Sequence, residues 1–150
     1  MTKSLIFFVP GTPAPQGSKK YVGGGRMIES SKAVKPWRED VRTAAERAMY
    51  EQFWTPDDAD QALAVDLVFW LRRPLGHPKT RRTNPITKPD LDKLARSTLD
   101  ALTSGGALHD DARVVRLTTR KRYVHPERLR RPEENDRTGA TIHIRPAEQE

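Results

Sequence analysis

Asp90 and Asp92, one residue apart, and the adjacent pair Asp110 and Asp111 bracket a stretch that reads as a helix. Carboxylates so placed either close helix ends or hold a hard divalent cation. Mg²⁺ in particular is typically held by one or two carboxylates, with water and phosphate oxygens filling an octahedron. The surroundings favour the second use. Arg72, Arg73, Lys79, Arg81, Arg82 and Lys88 precede Asp90, and Lys93 and Arg96 follow it. Acids set inside a phosphate-gripping surface repel the ligand unless a cation neutralises them. Arg96, four residues after Asp92, shares its helix face, where it can pair with that carboxylate or support a phosphate carrying developing charge. Helix punctuation alone also accounts for the first pair. Pro89 disfavours helix at Lys88, so Asp90 falls at the N-cap and Asp92 in the first turn, where the dipole favours ionised groups. The metal reading asks for more: a fold-back that brings Asp111 beside the helix N-terminus.

The charge pattern supplies the partner class. Among 150 residues, 27 Lys and Arg oppose 20 Asp and Glu, a net of +7. Residues 72–96 carry +6 and residues 113–131 carry +7, leaving −6 for the rest. Two concentrated, Arg-rich stretches suit a polyanion, because each neutralised phosphate releases condensed counterions. Other chemistries are excluded. With no cysteine, disulfides, thiolate metal sites and a cysteine nucleophile are impossible, and a reducing compartment is compatible. His77, His109, His125 and His143 are scattered, without the paired spacing a zinc site needs. Neither a phosphate-binding GxxxxGK[ST] loop nor a GxSxG serine is present. The longest apolar runs, Leu5–Val9 and Leu67–Leu71, are too short for a membrane span or a signal peptide.

The elements that must position these residues form one α+β domain over 1–150, in the order β-(hairpin)-α-β-α-β-β. Leu5–Val9 is continuously apolar, as in a strand buried on both faces. Pro10–Lys20 is a loop, and Tyr21–Ile28 folds around Gly23-Gly24-Gly25 as a short hairpin. Val34, Trp37, Val41, Ala44, Ala45, Ala48 and Met49 make the apolar stripe of a helix that runs to Phe53 and stops at Thr55-Pro56-Asp57-Asp58. Leu63, Val65, Leu67, Phe69 and Leu71 alternate as a half-buried strand. Residues 72–89, with four prolines, form an extended basic loop. The helix opened by Asp90 turns Leu91, Leu94, Ala95, Thr98 and Leu102 inward and ends at Gly105-Gly106. Arg113–Val124 is a strand with Arg116, Arg120 and Arg122 on one face, and Ala140–Ile144 is the last strand. Trp37 and Trp70 belong to the core.

The run Asp90-Leu91-Asp92-Lys93-Leu94-Ala95-Arg96, then Leu99-Asp100-Ala101-Leu102, then Gly106…Asp110-Asp111…Val114-Val115, resembles the RusA family of Holliday junction resolvases. The opening loop (Gly11…Pro13…Pro15-Gln16-Gly17-Ser18) and Trp37-Arg38 look like its phage and prophage branch. The resemblance implies a cytoplasmic, homodimeric, Mg²⁺-dependent endonuclease that makes paired nicks in four-way DNA junctions, with Mn²⁺ as a substitute ion. It assigns metal binding to Asp90, Asp92 and Asp111. The family's functional lysine falls on Arg96 and its asparagine on Lys93; arginine keeps the charge but cannot donate a proton. Arg72, Arg73, Lys79, Arg81, Arg82, Lys88 and Lys93 are the expected DNA contacts. Two other readings remain: a non-catalytic nucleic-acid-binding accessory protein, with the acids as helix caps, and a flap or branched-DNA nuclease of the same family.

Overall fold

Alternation along Leu63–Arg72 (β4) places this strand at the middle of the fold: Leu63, Val65, Leu67, Phe69 and Leu71 are all buried. The computed structural model describes residues 3–17, 19–21, 27–29, 32–56 and 61–148. Around β4 the chain lays out β1 (Leu5–Pro10), a short antiparallel pair β2 (Lys19–Tyr21) and β3 (Met27–Glu29), and α1 (Val34–Gln52). Beyond β4 come α2 (Leu91–Ser104), β5 (Val114–Val124) and β6 (Gly139–Pro146). The fold is α+β, with one mixed four-stranded sheet ordered β1-β6-β4-β5. The expected hairpin turn at 22–26 and the Asp57-Asp58 stop lie outside the described residues. Among the described residues no helix is long and apolar enough to cross a membrane.

β1 corrects an expectation. It pairs only with β6, at the sheet edge, and Ile6 is 51% exposed, so one face and one edge meet solvent. That edge is guarded. The Gln52 side chain accepts from the Ile6 N–H (3.1 Å) and donates to the Ile6 carbonyl (2.6 Å), pairing with it as another strand would. At the other edge, β5 leaves Val115 and Leu117 exposed in its first half.

Both helices pack on the core. The α1 stripe Val34, Trp37, Val41, Ala45 and Ala48 is buried, and the Trp37 indole donates to Thr98 Oγ1 of α2 at 3.1 Å. Trp70 is also buried, on the opposite face of β4 with the Arg122 guanidinium over its ring, and Trp54 is buried in the core with its indole donating to the Ala107 carbonyl. α2 buries Leu94, Ala95, Ser97, Thr98, Ala101 and Leu102 and ends at Gly105, with Gly106 left-handed (φ 85°).

β4 and β5 run parallel with α2 between them, and Leu63 stands opposite Val114. A parallel return obliges the helix to carry the chain back along the whole sheet. The start of α2 therefore sits where β4 and β5 finish, and the segment after α2 sits where they begin.

Candidate nuclease site

Asp90 takes the N-cap position with extended backbone (φ −69°, ψ 136°), yet its side chain makes no capping hydrogen bond. A carboxylate placed there normally accepts from the free N–H groups of the first turn. This one instead lies 3.7 Å from Lys93 Nζ, with both side chains about half exposed. Asp92 and Arg96 project to solvent one helical turn apart, and neither has an ion pair or side-chain hydrogen bond among the described residues. Among the described residues, then, neither carboxylate of the first pair caps the helix by a side-chain hydrogen bond, and Asp90 is met by Lys93.

The second pair lies elsewhere. Asp110 accepts from the Ala112 N–H at 2.9 Å, and this backbone bond, with help from Asp111, holds its carboxyl below the ordinary range. Partial desolvation, a shared hydrogen bond with Asp110 and the nearby Asp100 carboxylate push Asp111 up. Asp100 is ten residues along α2 from Asp90, about 15 Å of helix axis. The fold-back that would join Asp111 to Asp90 and Asp92 does not occur within one chain, because the parallel crossover sets the two pairs at opposite ends of the helix. Accordingly, among the described residues no three His, Asp or Glu side chains are grouped to hold a metal ion. Two carboxylates at one helix start remain a fitting donor set for Mg²⁺ when phosphate and water complete the shell.

The basic loop 73–89 stands over the Asp90 end of α2 on fixed supports. Lys121 of β5 donates to the Thr87 and Pro89 carbonyls at 2.7 and 2.8 Å. The Arg73 guanidinium donates to the Pro78 and Arg81 carbonyls inside the loop. Thr83 is held by the His125 ring at its backbone N–H (3.1 Å) and by His77 at its hydroxyl (3.0 Å). Burial, reinforced by the Arg82 charge, lowers the His125 pKa, so the neutral ring that accepts from Thr83 is the favoured form.

The main support is a residue that sequence reading passed over. Glu134, whose side chain is 2% exposed, forms a two-oxygen pair with Arg82 (2.6 and 2.5 Å) and also pairs with Arg122. It accepts from the Arg131 N–H at 2.9 Å. These partners, the Arg82 hydrogen bond foremost, bring its carboxyl down to about 2. Its polar segment has no periodicity, and its Arg82 partner is 52 residues away; the sequence signal is only a glutamate among arginines.

The expected DNA contacts therefore divide. Arg73 and Arg82 are engaged within the protein, and Lys93 faces Asp90. Arg72, Lys79, Arg81 and Lys88 are exposed, and none of their side chains has a partner among the described residues. Arg72 and Lys79 border a cleft of about 410 Å³ that Asp136 and Arg137 also line. In the second basic stretch, Lys121, Arg122, Arg128 and Arg130 bind protein oxygens. Arg116 and Arg120 are exposed.

The sequence matches the family model of the endodeoxyribonuclease RusA over residues 10–130, which spans both aspartate pairs and the basic loop. The chain belongs to the RusA endodeoxyribonuclease family. No curated protein matches it. Family membership makes the chain an endodeoxyribonuclease.

Proposed function

We propose that this RusA-family chain resolves four-way DNA junctions by Mg²⁺-dependent phosphodiester hydrolysis, with paired nicks made by a homodimer. The observation that carries the proposal is the start of α2. Asp90 stands at the N-cap without capping, beside Asp92, where Arg72 at the end of β4 and Lys79, Arg81 and Lys88 of the pinned loop face solvent. Asp90 and Asp92 would hold the ion, which when bound supplies Lewis-acid stabilisation and an activated water. Arg96, one turn below, faces the same surface and offsets charge on the phosphate, with no proton to give. The exposed cations hold the flanking backbone.

The third carboxylate comes from a second copy in this reading. Asp111 lies at the far end of its own α2, so a two-fold pair can bring it to the partner's Asp90–Asp92 end, and two sites result. Two opposed nicks require two sites.

Mixing two inactive variants tests this. Asp92→Asn and Asp111→Asn should each bind a synthetic junction and fail to nick it. Mixed dimers contain one site with both mutations and one with none, so mixing restores single nicks in Mg²⁺ and not in EDTA. Nicking by Asp92→Asn alone overturns the ion assignment; no recovery on mixing, with subunit exchange verified, overturns the shared site.

A further inference from the structure

A second basic surface lies on α1, away from the loop. A groove of about 660 Å³ between α1 and the end of α2 is lined by Lys32, Lys35, Arg38 and Arg42, with Glu39 and Ser104. Along the sequence these cations are masked by Glu39 and Asp40. In the fold they separate: Asp40 lies against the Gly11 backbone on another side of α1, leaving four cations and one acid in the groove. Among the described residues Lys32, Lys35 and Arg38 have no ion pair, and Arg42 pairs only with Glu39, at 3.3 Å. The first turn of α1 contains no acid. Lys32 and Lys35 stand at the positive end of the α1 dipole, where a cation is unfavourable without a counter-anion, and Arg38 and Arg42 continue the row beyond the first turn. The spacing 35, 38, 42 follows one helix face, and a row of cations along a groove is the form that tracks a phosphate backbone.

We infer that the α1–α2 groove binds the phosphate backbone of a DNA arm at a surface separate from the 73–89 loop. A branched substrate offers several duplex arms to one protein, and a second basic surface lets the chain hold two of them at a set angle. The inference takes DNA as the polyanion from the nuclease reading and depends on no step of its chemistry.

Junction binding measured by fluorescence anisotropy across a salt series tests it. Lys35→Ala/Arg38→Ala removes two phosphate contacts, so the slope of log affinity against log salt should shrink by about 2. Affinity at 50 mM salt should fall roughly a hundredfold and converge on the wild type as salt rises. Glu39→Gln, which removes the groove's acid and releases Arg42, should tighten binding in the same assay. Wild-type affinity and slope in the double variant, with its melting temperature unchanged, overturn the inference, and so does a Glu39→Gln protein that binds no tighter. A wild-type chain that never nicks in Mg²⁺, while these salt effects hold, sinks the nuclease reading and leaves the groove standing.

Discussion

Replacing Glu134 with glutamine tests the support of the basic loop. The side chain is 2% exposed and carries two arginines and a backbone N–H. A carboxyl brought from 4.5 to about 2 on folding, at about 1.36 kcal/mol for each pH unit, is worth about 3 kcal/mol. Removing one partner of a buried pair costs about 3–5 kcal/mol, and the low end applies because Arg82 is 28% exposed. The two routes agree. The depressed carboxyl stabilises the fold fully above pH 4.5, and its contribution disappears as pH falls from there toward 2. Urea denaturation of Glu134→Gln at pH 7 should therefore show a loss of about 3 kcal/mol, or roughly 6–12 °C in Tm for a chain of this size. Below pH 4.5 the wild type should lose stability more steeply than the variant, so that the difference narrows. A variant within about 1 kcal/mol of wild type at pH 7, with a parallel acid limb, refutes the reasoning.

Two further substitutions probe the sheet. Gly139 has φ 149°, and a Cβ there would lie 2.0 Å from the Val9 carbonyl oxygen. Gly139→Ala should unseat the β1–β6 pairing and destabilise on the order of 4 kcal/mol, read by thermal melting. Gln52→Leu strips both Ile6 hydrogen bonds from the β1 edge, should cost about 1–3 kcal/mol, and should raise light scattering on warming.

Local signals carried the elements well. Period-two burial marked β4, three- and four-residue spacing marked α1, and the Asp90 and Gly105-Gly106 punctuation bracketed α2. What escaped depends on partners remote in sequence. Ile6 and Phe8 are as apolar as core residues, and only the insertion of β6 between β1 and β4 makes β1 an edge. The site divides in the same way. Asp90 at the helix start was readable from Pro89 and the spacing, while the position of Asp111 follows from the parallel pairing of β4 with β5, which no short motif encodes. Arginine counts overstated the free charge, because Arg73, Arg82, Arg122 and Arg130 bind protein oxygens that composition cannot reveal.

The Gln52 clamp has a consequence for assembly. A sheet with two bare borders can recruit copies without end and become a filament, whereas one with a single bare border stops after one addition. On this chain the amide of Gln52 occupies Ile6, and Pro10 lacks an N–H to offer. Strand addition at the β1 border would have to displace Gln52 and would meet Pro10, which leaves the β5 border the more open to a further strand.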